Sequence, residues 1–206
     1  MLNVEKVING PFKQNAYVAW NKSHSFIIDP GGGANRIIDI IKSNDLSPSA
    51  ILNTHAHLDH IGAIQTLIQY GKYPFYLHKD EIQLLESANE YTKMFGTPNI
   101  NIPTVDYILD QSTILDFSGF SIEVLETPGH TAGGVSFLID EHLFTGDTLF
   151  SGSIGRTDLP GGNLEILLNS IHEKIMPLNN SIVVHAGHGP DSSIGEEKRK
   201  NPFLQS

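Results

Sequence analysis

One stretch of the chain connects its fold to its chemistry, Thr54-His55-Ala56-His57-Leu58-Asp59-His60. It places three histidines and one aspartate within six consecutive positions. Imidazole and carboxylate groups rarely enter a protein core unless something pairs with them, so packing alone does not explain this density. Both groups are common metal ligands, and the stretch therefore predicts a metal site.

The spacing of the four side chains indicates how they would be shared between metal positions. Successive side chains of an extended segment point to opposite sides, so His55 and His57 share a face and can bind one ion together. Asp59 and His60 follow where the chain is expected to turn into a helix, so they can point at a second position beside the first.

The flanking residues predict where this cluster lies in the fold. Residues 50–53 are a short apolar run that is typical of a buried strand, and residues 61–70 carry apolar side chains at helical spacing. The cluster therefore follows the C-terminal end of a strand, which is where open α/β sheets place their functional sites.

The pattern HxHxDH, followed by Gly62, resembles the signature of the metallo-β-lactamase superfamily. Members of that superfamily bind one or two metals at the edge of an αββα sandwich, an α/β fold of four layers in which helices flank two mixed sheets. The resemblance predicts further ligands, and candidates follow in the expected order: His130 in Thr-Pro-Gly-His-Thr, Asp147 in Thr-Gly-Asp-Thr and His188 in His-Ala-Gly-His-Gly-Pro. A chain with ten histidines places some of them together by chance, but seven ligand-type residues in this order favour the metal site.

The resemblance also implies a role for each ligand. One metal would be held by His55, His57 and His130, and the other by Asp59, His60 and His188. Asp147 would bridge two metals and Asp59 would orient the attacking water, so these two aspartates are the candidate catalytic residues. We expect two divalent ions, zinc with iron or manganese as alternatives, because histidine and carboxylate ligands suit all three.

Composition sets the class of protein. The chain has 206 residues, 39% of them hydrophobic, which suits a single α/β domain spanning residues 1–206. Its net charge of -10 argues against a nucleic-acid surface. It has no cysteine, so the metals would be held by nitrogen and oxygen alone. No signal peptide or apolar run of roughly 20 residues is evident, and we expect a cytoplasmic monomer or homodimer with no membrane partner.

The rest of the sequence predicts two runs of strands, each followed by a helix. The first run comprises strands at 2–7, 16–20 and 26–29 in an antiparallel meander, then a helix at 35–43 capped by Asn35. Later elements are strands at 73–77, 107–109, 114–117, 121–125, 135–139, 142–144 and 182–184, and helices at 80–86, extending toward residue 94, and at 164–175. Leu164 is expected to face inward and His172 outward. Residues 29–33 indicate a tight turn near the site, and residues 95–103 a mobile lip over it.

The sequence offers no ordinary covalent nucleophile, because it has neither a cysteine nor a GxSxG motif. The metals would then supply the nucleophile. A zinc-bound water has a pKa of about 7, which gives a hydroxide at neutral pH, and a second metal about 3.5 to 4 Å away can hold the oxygen on which charge develops. The sequence therefore predicts a dinuclear metallohydrolase that cleaves an ester-like bond.

Within the superfamily, the chain is most similar to the glyoxalase II-like hydrolases. The similar stretches are residues 146–150, 153–158, 187–190, 194–198 and 201–204. This resemblance implies hydrolysis of a small-molecule thioester, an acylated glutathione such as S-lactoylglutathione. Full-length glyoxalase II binds glutathione through a basic C-terminal extension, whereas here 18 residues follow His188. Lys198, Arg199 and Lys200 could replace that extension, or could form a solvated charge run.

Several alternatives remain open. Arg156 and Asp158 lie in a Gly-Arg-Thr-Asp stretch that resembles the persulfide dioxygenases, which bind one iron. They are candidate substrate contacts, and an ion pair between the two is the other interpretation. The second-metal set of Asp59, His60 and His188 favours the hydrolase. A lactonase, a β-lactamase and a non-catalytic binding module are further alternatives on the same fold.

Overall fold

The computed structural model describes residues 1–110, 114–118 and 120–205. The chain forms two compact units, Met1–Leu109 and Asp110–Ser206. The prediction of one domain over residues 1–206 stays a prediction. Within the described residues, no helix combines the length and the apolar character that crossing a membrane requires.

The first unit is built on one six-stranded mixed sheet with the order β1-β2-β3-β4-β5-β6. Its strands are β1 (Asn3–Asn9), β2 (Gln14–Trp20), β3 (Ser25–Ile28), β4 (Ala50–Leu52), β5 (Phe75–His78) and β6 (Tyr107–Leu109). The first three strands pair antiparallel, which confirms the predicted meander, and β3 to β6 pair parallel. All residues of β3 and β4 are buried, as the apolar composition of a parallel strand covered on both faces requires.

The helices of this unit are α1 (Ala34–Ser43), α2 (Leu58–Ile61), α3 (Ile64–Gly71), α4 (Ile82–Glu86) and α5 (Ala88–Phe95), with a 3-10 turn at Lys79–Glu81. Helix α1 buries Ile37, Ile40 and Ile41, which recur at helical spacing. The predicted cap at Asn35 is wrong, because Asn35 lies inside α1. Gly33 precedes the helix with a φ of 64°, a left-handed conformation that glycine adopts readily. Strands and helices pack around one apolar core that includes Val18, Ile27 and Phe75.

The second unit contains a six-stranded mixed sheet with the order β14-β13-β10-β9-β8-β7 and a small hairpin of β11 and β12. Its strands are β7 (Ile114–Phe117), β8 (Phe120–Glu126), β9 (Val135–Ile139), β10 (His142–Gly146), β11 (Leu149–Phe150), β12 (Ser153–Ile154), β13 (Val183–Ala186) and β14 (Ser192–Ser193). Strands β10 and β13 pair parallel and the other neighbours in the large sheet pair antiparallel.

Two helices cover this sheet, α6 (Leu164–Ser170), which continues into a π-helical turn at Ile171–Ile175, and α7 (Ile194–Lys200). Leu167, Ile171 and Ile175 pack into the core of the unit with Leu143 and Val184 of the sheet. The expectation that Leu164 faces inward is wrong, since half of its surface is exposed in the first turn of α6. His172 is exposed, as predicted.

Candidate metal centre

The four predicted ligands of the first unit lie together just after β4. After β4 the chain bends at Thr54, is extended at His57, and then enters α2, which carries Asp59 and His60. The ring centroids of His55 and His57 are 4.9 Å apart, and those of His55 and His60 are 4.1 Å apart. The helix begins three residues earlier than the predicted range of 61–70. That range is broken between Ile61 and Ile64, so a separate short turn presents Asp59 and His60.

Asp29 is a buried aspartate that orients the ring of His60. The sequence analysis assigned it only to the turn at residues 29–33. Asp29 Oδ2 is 3.0 Å from His60 Nδ1 and accepts a hydrogen bond from Thr54 Oγ1 at 2.6 Å. Asp29 Oδ1 accepts from the backbone N–H of Thr54 at 2.7 Å. Because a carboxylate only accepts, His60 Nδ1 is the donor and Nε2 carries the lone pair. Metal-binding histidines are commonly oriented through a carboxylate in this way.

Further buried polar side chains fix the backbone of the cluster. Asn53 Nδ2 donates to the carbonyl oxygens of His55 at 2.9 Å and His60 at 3.1 Å. Glu81 Oε2 accepts from the backbone N–H of Ala56 at 2.8 Å. Asn53 and Glu81 are fully buried. Asn53 is a polar residue directly after the apolar run of β4, and this position was the sequence signal that could have identified it as a supporting residue.

The glycine turn after β3 packs directly against α2, which confirms the predicted tight turn near the site. A Cβ atom at Gly31 would lie 1.4 Å from the carbonyl oxygen of Asp59, and one at Gly62 would lie 2.4 Å from the carbonyl oxygen of Gly31. The backbone N–H of Ala63 donates to the carbonyl of Pro30 at 2.9 Å. This close backbone approach is possible because both positions lack a side chain.

The predicted ligands of the second unit also lie together. Asp147 directly follows β10, His188 follows β13 by two residues, and His130 lies in the loop after β8. Asp147 Oδ2 is 3.6 Å from His130 Nε2 and 3.6 Å from His188 Nε2. The parallel pairing of β10 with β13 sets Gly146 opposite Ala186 and so brings the two strand ends side by side.

The ring of His130 is oriented by the main chain. His130 Nδ1 lies 2.7 Å from the carbonyl oxygen of Arg156, which only accepts, so Nδ1 is the donor and the lone pair is on Nε2. Gly155 brings this segment close: a Cβ atom there would lie 1.8 Å from the carbonyl oxygen of Asp147. The backbone around Asp147 and His130 therefore depends on glycine at position 155.

Arg156 and Asp158 form the ion pair that was one interpretation of the sequence. Arg156 Nε and Nη2 donate to the two carboxylate oxygens of Asp158, each at 2.7 Å. Both side chains are more than half exposed. The hydrogen bonds from Arg156 lower the pKa of Asp158 to about 2, and Asp158 raises the pKa of Arg156 in return. A role of either residue in substrate contact stays a prediction.

The donors in each unit fit a divalent metal. Two ligand atoms at 2.0 to 2.2 Å from one tetrahedral ion are roughly 3.4 Å apart, close to the 3.6 Å between the Asp147 oxygen and each histidine nitrogen. The Nδ1 atoms of His60 and His130 are hydrogen-bonded, which directs Nε2 toward a ligand role. Nitrogen and carboxylate oxygen are donors that zinc, iron and manganese accept.

These features define the class of the protein. The sequence matches the metallo-β-lactamase superfamily over residues 9–188, and the chain belongs to that superfamily. Its fold is the metallo-β-lactamase fold, with two mixed sheets flanked by helices. The predicted fold class and family resemblance are confirmed. The chain is a hydrolase of this superfamily with metal-binding clusters.

Individual relatives align with 97% to 100% of this chain. The hydroxyacylglutathione hydrolase GloC of Haemophilus influenzae is 43% identical over 210 aligned positions, which cover 100% of this chain and 99% of that protein. Among solved structures, the B3 metallo-β-lactamase BLEG-1 has a TM-score of 0.93 and 41% identity, covering 99% of this chain and 100% of that one. TTHA1623 in a di-iron-bound form has a TM-score of 0.89 and 36% identity, covering 97% and 100%.

Proposed function

We propose that this protein is a dinuclear metal-dependent thioesterase that hydrolyses acylated glutathione, such as S-lactoylglutathione. The observation that supports it most directly is the 43% identity, over the complete chain, to a protein named hydroxyacylglutathione hydrolase. The alignment covers all of this chain and 99% of that relative, so it includes the segment that follows His188.

The proposed ligand set is the one implied by the family motif. Two divalent metals, zinc or alternatively iron or manganese, would be held by His55, His57, Asp59, His60, His130, Asp147 and His188. When bound, such ions supply Lewis acidity and lower the pKa of a bound water. An iron-binding relative, TTHA1623, supports iron as one alternative.

The residues of the chain would contribute orientation and proton handling. Asp29 and the carbonyl of Arg156 hold His60 and His130 in the tautomer that presents Nε2. Asp59 would accept a hydrogen bond from the attacking water and so aim its oxygen at the thioester carbonyl. In the overall reaction the water oxygen bonds to the carbonyl carbon, the C–S bond breaks, and one proton of the water ends on the thiol.

The basic run near the end of the chain is partly committed to other contacts. Lys198 Nζ donates to Asn180 Oδ1 at 2.7 Å and to the carbonyl of Leu178 at 3.3 Å. Lys200 Nζ donates to Glu196 Oε1 at 2.7 Å, and this contact lowers the pKa of Glu196. Arg199, whose charge also contributes to the lowered pKa of Glu196, is the member of this run that we propose for contact with a carboxylate of glutathione.

The decisive experiment is hydrolysis of S-lactoylglutathione, followed by loss of the thioester's ultraviolet absorbance, with metal content measured on the same sample. We expect turnover with close to two metals per chain. An Asp147→Ala variant should lose both metal and rate, and full metal content with unchanged turnover in that variant would refute its bridging role. A single iron with oxygen uptake on glutathione persulfide would instead identify a persulfide dioxygenase.

A second candidate function is hydrolysis of β-lactams, because BLEG-1, named as a B3 metallo-β-lactamase, is 41% identical. The amide of a β-lactam ring can be opened by the same attacking water. The two candidates are separated by measuring kcat/KM on S-lactoylglutathione and on a chromogenic cephalosporin with one preparation. The larger value identifies the chemistry to which the site is adapted.

A further inference from the structure

A cleft of about 290 Å³ opens beside Asp59 within the first unit. Most of its lining is apolar and comes from Pro11, Phe12, Leu58, Pro98 and Ile100. The uncharged polar residues Asn9, Thr97 and Asn99 and the acidic residue Asp59 complete it. Gly31 and Gly62, which pack against each other, also line the cleft and contribute no side chain to it. The cleft therefore places an apolar surface next to a proposed catalytic carboxylate.

One wall is the turn between β1 and β2. The side-chain amide of Asn9 donates to the carbonyl of Gln14 at 3.1 Å and to its Oε1 at 2.8 Å, which closes the turn. The backbone N–H of Lys13 donates to the carbonyl of Gly10 at 3.2 Å. The turn presents Phe12, which keeps 44% of its surface exposed.

The opposite wall is the segment after α5, part of the predicted lip at residues 95–103. Asn89 binds both backbone groups of Ile100: its Oδ1 accepts from the N–H at 2.9 Å and its Nδ2 donates to the carbonyl at 3.1 Å. Thr92 Oγ1 donates to Asn99 Oδ1 at 2.7 Å, and the carbonyl of Thr92 accepts from the N–H of Thr97 at 2.9 Å. Four hydrogen bonds to one helix therefore hold this wall in the structure, and the predicted mobility of the lip stays a prediction.

The chemistry of the lining selects which part of a thioester can enter. Among the residues that line the cleft, all of them in the described part of the chain, only Asp59 carries a charge. The carboxylates of a thiol carrier such as glutathione would lose hydration there, beside the negative charge of Asp59 and without a positive charge to compensate. An apolar acyl chain loses little and gains about fourfold in affinity for each methylene that is fully buried.

We propose that this cleft binds the acyl group of the substrate and selects apolar acyl groups larger than lactoyl, such as medium-chain or aromatic ones. The inference rests on the proposed thioesterase function and names its substrate class. A volume of about 290 Å³ is at the lower end of ligand pockets, which suits one part of a substrate and not the whole molecule.

The test compares acyl groups on one carrier. We would measure kcat/KM for acetyl-, lactoyl- and hexanoyl-glutathione with the wild-type protein and with Phe12→Ala and Ile100→Ser. We expect hexanoyl to exceed acetyl by at least tenfold in the wild type, mainly through KM. Each variant should reduce that ratio at least fivefold. Ile100→Ser keeps the backbone bonds to Asn89, and thermal melting confirms that both variants fold.

The matched control is Phe203→Ala, since Phe203 is a similarly exposed phenylalanine, at 50%, that belongs to the second unit. It should leave the hexanoyl-to-acetyl ratio unchanged. A flat wild-type series, or variants that behave like this control, would overturn the proposal while turnover itself would still support the thioesterase.

A binding measurement separates the two proposals if turnover is absent. Calorimetric titration with the thioethers S-hexylglutathione and S-methylglutathione needs no catalysis. Preference for the hexyl form that is lost in Phe12→Ala supports the cleft even if no thioester is hydrolysed. Equal affinity for the two thioethers contradicts it, whatever the enzyme hydrolyses.

Discussion

The two units hold their predicted ligands by different means. In the first unit, the ring of His60 is oriented by the side chain of Asp29, which Thr54 holds in turn. In the second unit, the ring of His130 is oriented by the main-chain carbonyl of Arg156. A side-chain anchor can be removed by one substitution, whereas a main-chain anchor remains whatever side chain its residue carries. The first unit should therefore be the more sensitive of the two to point mutation.

The two units also share one packing feature. In each, a glycine presses against the carbonyl oxygen of a predicted ligand aspartate: Gly31 against Asp59, and Gly155 against Asp147. Contacts of this kind belong to the backbone in both units. Substitutions of the glycines should therefore affect the two units alike, and substitutions of side-chain anchors should not.

The largest effect is expected for Gly31→Ala and Gly155→Ala. The added Cβ would lie 1.4 Å from the Asp59 carbonyl oxygen and 1.8 Å from that of Asp147, so the backbone must move. We expect each variant to lose more than about 4 kcal/mol of stability or to fail to fold, as measured by chemical denaturation, with loss of bound metal.

The control for both is Gly152→Ala. Its Cβ would meet open space, and only its φ of 71° opposes alanine, which costs about 1 to 2 kcal/mol. If Gly31→Ala proved no worse than this control, the close packing of the glycine turn on α2 would be wrong.

Next in size is the direct test of the difference between the units. Asp29→Asn removes the carboxylate that orients His60, and loss of such an anchor typically lowers metal affinity 10- to 100-fold. Arg156→Ala keeps the main-chain carbonyl that orients His130. The metal affinity of this variant should therefore stay within about twofold of wild type. Both affinities can be measured by competition with a chelator. Equal losses in the two variants would contradict the distinction.

A smaller effect, on the free energy of unfolding, is expected at Glu197, a buried side chain of the second unit that accepts several hydrogen bonds. Glu197 accepts hydrogen bonds from Ser192 Oγ, from Asn201 Nδ2 at 2.8 Å and from the backbone N–H of Gly152 at 2.9 Å. None of these partners is a predicted ligand. Glu197→Ala should lower the free energy of unfolding by about 1 to 3 kcal/mol, because buried donors lose their acceptor.

Metal affinity provides the contrast for this variant. The metal affinity of folded Glu197→Ala should stay within about twofold of wild type, whereas that of Asp29→Asn should fall. A matching fall in affinity would mean that Glu197 also supports the ligands of its unit.

The ligand residues could be predicted from the sequence because each is local to the end of an apolar run. His55 follows β4, and Asp147 and His188 follow β10 and β13. The residues that orient these ligands could not be predicted, because they come from parts of the chain that are distant in sequence. Asp29 lies next to Thr54 because β3 and β4 pair parallel, with Ile28 opposite Leu52. Recognising that the two strands are neighbours would have predicted this contact.

The predictions of one helix boundary and of one side-chain direction were wrong for local reasons. The helix expected at 61–70 begins at Leu58 and is interrupted before Ile64, where Gly62 must pass close to the carbonyl of Gly31. Leu164 follows helical spacing but stands in the first turn of α6, where half of it stays exposed. Apolar periodicity predicts a face of a helix and does not predict where the covering layer ends.

The smallest effect is expected at the exposed ion pair of Arg156 and Asp158. Hydrogen bonds from Arg156 hold the pKa of Asp158 at about 2, below its ordinary value of 3.8. The depressed pKa means that the pair stabilises the fold above pH 3.8 and that this contribution is lost as the pH falls through about 2. In Arg156→Gln the pKa of Asp158, measured by NMR titration of its carboxyl carbon, should rise toward 3.8. Metal affinity should not change with it, because the His130 anchor is the main-chain carbonyl at the same residue. A fall in affinity that tracks the pKa would show that the side chain, and not the main chain, positions this half of the ligand set.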